Sequence, residues 1–352
     1  RLSPGPLSPS LPQERRPAGA TPCLCLAPAP PRSAMDGYWL AAVALAVAPC
    51  LWAAVRRRWR RALGSGDAVL VTGCDSGFGF GVVEGLLART EALVVAGAVT
   101  QPGLDRLRAL GSRVIAVQMD VTRDADVAAA LAEVQRSGRA LAGVVNNAGI
   151  GCYGWAEALA MERYEANLQV NLMGVIRVTK LALPLLRQSR GRLVTMGSVG
   201  GRAPSAFGSA YVPTKAAVAS FQDCVRQEVY RFGVRCSLVE PGFFATGMLH
   251  RSAALGQAAS SSSPGGGEAP EVLAAYGSYS EKMKVTEGAV IAAERLNGGE
   301  RGPDRVVDAV LDALTTRLPR TRYLVGVDAN VLGRLGWFIP DFVWDLGQTY
   351  LI

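Results

Sequence analysis

Between residues 68 and 239 the chain alternates short apolar runs with stretches whose apolar positions recur at helical spacing. The runs at 68–72, 92–98, 113–119, 141–145, 192–195 and 235–239 are nearly continuous rather than alternating, as expected of strands covered on both faces. Between them the spacing predicts helices through Leu86 and Leu87, near 104–110, over 125–135, as one long helix from about 162 to 188, and over 211–230. Strand after helix at this rhythm predicts a parallel sheet covered by helices. Right-handed crossovers then make it a Rossmann-like, doubly wound α/β fold. Past Thr246 the alternation breaks. Residues 252–270, with Ser-Ser-Ser-Ser-Pro-Gly-Gly-Gly, form an expected flexible insertion, either a lid or an inert loop. A helix over 304–314 and a last strand over 320–327 close a domain expected to span 66–325.

The flanks follow other patterns. Residues 1–34 are rich in Pro, Ser, Ala and Arg and read as a disordered extension, with Met35 the expected start. Residues 38–55 carry no charge and are just long enough for a tilted membrane helix. A basic linker, 56–65, begins with Arg56-Arg57-Arg58-Trp59-Arg60-Arg61. Basic residues after the apolar run, not before it, favour an anchor with the main domain on the cytosolic side. A cleaved signal peptide and an Arg-rich mitochondrial presequence over 1–61 are the alternatives. The aromatic tail, 326–352, is interrupted by Pro340, Asp341 and Asp345, so it suits an interface or a pocket cap better than a span.

Composition narrows the choices. The net charge of +8 could point to nucleic acid, but residues 1–61 hold nine Arg against two acids, which leaves about +1 for the rest. No nucleic-acid partner is therefore expected. Seven scattered cysteines in 352 residues imply no disulfide framework. His250 is the sole histidine, so zinc chemistry and Ser-His catalysis lack parts and no metal is expected.

Candidate chemistry begins with Tyr211 and Lys215, four apart and hence on one face of a helix. An ammonium group beside a phenol favours the phenolate, which can take a proton from an alcohol. Nine Tyr and four Lys predict roughly 0.1 such pairs by chance, so the spacing needs support from the rest of the chain. Thr72-Gly73-Cys74-Asp75-Ser76-Gly77-Phe78-Gly79 supplies some of it, lying between the first strand and its helix. There Gly73 allows a tight turn, Gly77 lets backbone approach a pyrophosphate, and Gly79 lets helix lie close to sheet. The helix N-terminus offers N–H groups to phosphates.

Together with Asn146-Asn147-Ala148-Gly149, Ser198 and Pro241-Gly242 after later strands, these motifs resemble the short-chain dehydrogenase/reductase family over roughly 66–250. The phrases Thr-Gly-Cys-Asp-Ser-Gly-Phe-Gly, Val-Glu-Pro-Gly-Phe-Phe and Pro-Arg-Thr-Arg-Tyr are similar to its retinol and hydroxysteroid dehydrogenase branch, which is related to D-3-hydroxybutyrate dehydrogenase. The resemblance implies Tyr211 as acid/base, Ser198 as donor to the substrate oxygen, Lys215 as ribose contact and Asn171 as structural and proton-relay residue. It implies cofactor contacts from Gly73, Ser76, Gly77, Phe78, Gly79, Asp120, Val121, Asn147, Gly149, Tyr211, Lys215, Pro241, Gly242 and Thr246.

The second-strand turn Ala96-Gly-Ala98-Val-Thr-Gln101 holds neither acid nor arginine, which leaves NADP open, and the resemblance implies NAD, since similar members share this neutral turn and mostly use it. The expected activity is oxidation of a lipophilic retinoid or steroid alcohol by a homo-oligomer at the endoplasmic reticulum membrane. D-3-hydroxybutyrate as substrate, a mitochondrial location and a non-catalytic nucleotide-binding membrane protein are the alternatives. Two positions depart from the family pattern: Gly197 replaces a common serine, and Pro213, tolerated in a first helical turn, places Tyr211 near a helix start.

Overall fold

A computed structural model describes residues 61–244, 270–277, 288, 290–335 and 343. The expected anchor 38–55, most of the insertion 252–270, Thr246 and nearly all of the tail beyond 335 lie outside the described residues. Among the described residues the strands are β1 (Asp67–Val71), β2 (Leu93–Ala98), β3 (Val114–Gln118), β4 (Ala140–Asn146), β5 (Arg192–Met196), β6 (Arg235–Pro241) and β7 (Arg322–Val325). They form one parallel sheet in the order β3-β2-β1-β4-β5-β6-β7. β2 is buried at every position, and β1 from Ala68 to Val71, so the continuous apolar runs mark strands with both faces covered.

Helices occupy the connections: α1 (Gly77–Arg89), α2 (Gln101–Ala109), α3 (Asp124–Arg136), α4 (Met161–Leu168), α5 (Gly174–Ser189), α6 (Val212–Val229), α7 (Pro270–Tyr276), α8 (Gly302–Thr315) and α9 (Val327–Leu335). One apolar cluster joins Val69, Val71, Val82, Leu86 and Val94 to Leu104, Leu107, Val310 and Leu314 on α2 and α8. Another, on the opposite face, joins Leu70, Val95, Val144 and Leu193 to Leu131, Val178, Leu186 and Val225 on α3, α5 and α6. The two layers account for the fold: α1, α2 and α8 on one side and α3, α5 and α6 on the other each contribute an apolar stripe, and the sheet contributes both faces.

The expected single helix over 162–188 is interrupted. Between α4 and α5 lies a π-helical turn, Gln169–Met173, which inserts an extra residue and places Asn171 in its middle. Glycine is required at Gly174, where α5 begins, because a Cβ there would lie 2.7 Å from Val121 Cγ2. Measured as one unit, Met161–Ser189 is long and apolar enough to cross a membrane by composition, yet its apolar face packs on the sheet. The expected strand 320–327 is shorter than predicted, and α9 begins at Val327, inside the expected aromatic tail 326–352.

β6 and α9 are locked together by Asn297, which is fully buried. Its Nδ2 donates to the Phe243 carbonyl and to Asp328 Oδ1, both at 2.7 Å, and its Oδ1 accepts from the Val327 amide at 2.7 Å. Asp328 Oδ2 accepts from the Phe243 amide at 2.6 Å. Gly242 allows this, since a Cβ there would stand 2.0 Å from Asp328 Oδ1. Asn297→Ala strands buried donors and acceptors, so we expect a loss of about 2–3 kcal/mol of stability, read as a lowered denaturant midpoint with unchanged m. A loss below about 0.5 kcal/mol would show that this clasp is not a constraint.

Candidate active site

The order of the sheet reverses between β1 and β4, and in a doubly wound fold that switch opens a crevice at the carboxyl ends of the strands. The turn after β1 and the segment after β4 line it, tied to each other. Asn147 Nδ2 donates to the Thr72 and Gly73 carbonyls at 2.9 Å each, while the Thr72 hydroxyl accepts from the Asn147 and Ala148 amides at 3.0 and 2.9 Å. The Asn147 side chain is thus spent on backbone.

Gly73 (φ +68°) and Gly77 (φ +61°) adopt left-handed backbone that disfavours other residues. A Cβ at Gly79 would stand 2.3 Å from the Gly73 carbonyl oxygen, so that glycine is required by contact. A Cβ at Gly77 would meet nothing within 4 Å, so its backbone is open to a ligand at the start of α1. Ser76 caps α1 in extended conformation without a side-chain bond to the helix.

Across the crevice, Tyr211 caps α6, with Pro213 in the first turn as the sequence required. The phenol is buried and hydrogen-bonds Ser198, whose Oγ also accepts from the Gly200 amide at 3.1 Å. Lys215, one turn on, is also buried, with Nζ 5.7 Å from the Tyr211 ring centre and donating to the Met196 carbonyl at 3.0 Å. Gly149 lies beside it, a Cβ there being 3.6 Å from Nζ. Asn171 is fully buried. Its Nδ2 donates to the Ile150 carbonyl at 2.9 Å and to Thr214 Oγ1 at 3.1 Å, and its Oδ1 accepts from the Ile150 amide at 2.8 Å. Thr214 Oγ1 in turn donates to the Tyr211 carbonyl at 2.6 Å. The π turn therefore braces both the β4 segment and the start of α6.

Other expected residues sit farther from this centre. Asp120 spends its Oδ1 on the Thr122 amide and hydroxyl, Val121 packs under Gly174, and Phe78 meets Phe244 edge-on at 6.0 Å. Pro241 ends β6 and Gly242 receives Asp328.

Several residues escaped the sequence reading. Tyr153 lies 5.4 Å from the Tyr211 ring, and Trp155 packs on Phe207 at 4.5 Å and on Tyr276 at 5.0 Å. Phe207 holds φ +65°, an uncommon conformation for an aromatic residue, with its carbonyl accepting from the Gly154 amide at 2.9 Å. Its strain belongs to the wall beside the phenol. The signal that could have found these residues was the aromatic spacing Tyr153-Gly-Trp155 just past β4. A buried ion pair braces the far side: Glu240 accepts from Arg202 at 2.8 Å and Arg322 at 3.2 Å, joining the turn after Ser198 to β6 and β7.

This crevice fits a nicotinamide dinucleotide. It offers open left-handed backbone at Gly77, free space at a helix start for phosphates, and a buried amine and phenol at its inner end. Fold and crevice together define a dinucleotide-dependent oxidoreductase. The sequence matches the short chain dehydrogenase family over residues 67–255. It is 39% identical to the mitochondrial D-beta-hydroxybutyrate dehydrogenase of Rattus norvegicus over 74% of this chain and 76% of that protein. Likewise, it is 38% identical to 17-beta-hydroxysteroid dehydrogenase type 6 of Bos taurus, over 77% of this chain and 83% of that one. Retinol dehydrogenase 16 of Homo sapiens is also 38% identical, over 79% and 86%. Among solved structures, a short-chain dehydrogenase from Streptomyces avermitilis superposes with a TM-score of 0.61 at 28% identity, covering 78% of this chain and 93% of that one. The chain belongs to the short-chain dehydrogenase family and is an NAD(P)-dependent oxidoreductase.

Burial pushes the Tyr211 phenol up to about 12, against a downward pull from the Ser198 hydrogen bond, and burial alone pulls the Lys215 ammonium down to about 8. Burial thus outweighs the help that the Tyr-x3-Lys spacing led one to expect. Burial disfavours the charged form of each group, so both titrate in the alkaline range. Alcohol oxidation needs the proton gone and carbonyl reduction needs it present. We expect kcat/KM for oxidation to rise, and for reduction to fall, as pH climbs through the window between about 8 and 12. A flat profile for both directions would exclude this pair as the proton carrier.

Proposed function

We propose that the chain oxidises a hydroxyl group of a lipophilic alcohol of the retinoid or steroid class, with NAD as the preferred cofactor. The observation that carries this reading is the aromatic wall of Tyr153, Trp155, Phe207 and Tyr276 beside the Tyr211 phenol. A flat apolar skeleton gains burial against such rings, whereas a small anion gains little. Likeness to a hydroxysteroid and a retinol dehydrogenase supports the class, and likeness to a D-beta-hydroxybutyrate dehydrogenase keeps that small hydroxy acid as the second reading.

In this reading the roles divide by position. Ser198 Oγ donates to the substrate oxygen and holds it against the phenol. Tyr211, as phenolate, takes the hydroxyl proton. Lys215 is held beside the phenol through the Met196 carbonyl, where its ammonium form eases loss of the phenol proton against the cost of burial. Asn171 fixes the backbone at Ile150 and, through Thr214, the start of α6. A bound nicotinamide supplies the acceptor for the hydride that leaves the alcohol carbon. Gly73, Ser76, Gly77, Phe78, Gly79, Asp120, Val121, Asn147, Gly149, Pro241, Gly242 and Thr246 are proposed to form its bed. The apolar segment 38–55 and the aromatic tail support delivery to a membrane, that of the endoplasmic reticulum before the mitochondrion, and the working form is proposed to be a homo-oligomer.

NADH formation by the full-length chain in membranes tests the substrate class with all-trans-retinol, a 17β- or 3α-hydroxysteroid and D-3-hydroxybutyrate. Turnover confined to hydroxybutyrate would overturn the lipophilic reading. Tyr211→Phe should lower kcat about 10²- to 10⁴-fold with little change in cofactor affinity. Full activity in that variant would remove Tyr211 from the chemistry.

A further inference from the structure

The second strand ends without the acid that commonly receives the adenosine ribose in this fold, since Gly97-Ala98-Val99-Thr100-Gln101 is neutral. An acid nevertheless stands at that place, delivered from another element. Asp75, in the glycine-rich turn, reaches the end of β2: Oδ2 accepts from the Val99 amide at 3.1 Å, and Oδ1 accepts from the Thr100 amide at 2.8 Å and the Thr100 hydroxyl at 2.6 Å. The fit is close, because a Cβ at Gly103 would stand 2.7 Å from Asp75 Oδ1. Val99 itself is about half exposed, so this turn faces solvent at the carboxyl end of β2, the same edge of the parallel sheet as the crevice.

We infer that Asp75 is the residue that selects NAD over NADP, a conclusion that rests on the proposed function and names the group responsible for its cofactor choice. The argument counts donors and acceptors. Oδ1 takes two donors and Oδ2 only one, so Oδ2 keeps a lone pair for the hydrogen of a ribose 2′-hydroxyl. A 2′-phosphate brings only acceptors and about two negative charges to the same spot. There it meets a carboxylate, while the two amides and the hydroxyl that could have cradled it already serve Asp75. The nearest arginine does not reverse this balance. Arg106 is already engaged, donating to the Asp75 carbonyl and lying over the Phe80 ring, 5.6 Å from its centre.

The test is equilibrium binding, read as quenching of tryptophan fluorescence or energy transfer to the reduced nicotinamide, with NADH and NADPH on the full-length chain. Asp75→Asn keeps the shape and one acceptor oxygen, and Asp75→Ser removes the charge with a smaller side chain. Using the ratio of the two dissociation constants cancels any general damage to the turn, because damage weakens both ligands alike. In the wild type NADH should bind more tightly. In both variants the ratio should move toward NADPH by about 10- to 100-fold. An unchanged ratio in both variants, with the wild type preferring NADH, overturns the role of Asp75 and leaves the NAD reading intact. A wild-type preference for NADPH overturns the NAD reading itself.

Discussion

The structure depends on a polar clasp at the one place where the order of the sheet reverses. Thr72 and Asn147 exchange bonds across the gap between β1 and β4, and Asn147 also holds the Gly73 carbonyl. A switch point opens a crevice because the helices on its two sides lie on opposite faces of the sheet, and an open crevice exposes backbone ends. Here those ends satisfy each other, so the glycine turn is rigid before any ligand arrives. Preorganisation of this kind spares the binding energy otherwise spent on ordering a loop.

Rigidity at the inner end is built differently. Tyr211, Ser198 and Lys215 come from two segments of chain, and neither would hold its geometry alone. The π turn reaches α6 through Asn171 and Thr214, and Arg202 reaches Glu240 from just beyond the 3₁₀ turn that follows Ser198. Glu240 is almost wholly buried, and a buried ion pair is a weak source of net stability. What it provides is direction: a carboxylate gripped by two guanidinium groups has few alternative positions, so β6, β7 and the Ser198 segment share one alignment.

Much of this was legible in the sequence, and the parts that were not share a cause. Continuous apolar runs revealed the first six strands because a parallel sheet buries both faces, and Pro213 located the start of α6 because proline is accepted only in a first turn. The π turn left no trace, since Gln169-Val-Asn-Leu-Met173 continues an ordinary helical stripe and only the packing of Asn171 against Ile150 reveals the extra residue. Asp75 was visible within its motif, but its reach to Thr100 is a fact of three dimensions. The aromatic wall likewise joins Trp155 to Phe207, 52 residues on, and to Tyr276, 121 residues on, and periodicity carries no information on such pairings. Asn297 and Asp328 lie where the alternation of strand and helix had faded, so neither stood out.

The stretch Met161–Ser189 has a consequence for biosynthesis. By length and hydropathy alone it passes as a candidate span, in a chain that carries another apolar segment upstream. Its buried face, however, includes Asn167, Asn171 and Thr179, whose partners are Thr214, Ile150 and Asn146 of the folded domain as well as each other. In hydrocarbon those partners would be missing and each polar group would carry its full desolvation cost. The residues that brace the crevice therefore also bias this stretch toward folding into the domain and against residence in hydrocarbon.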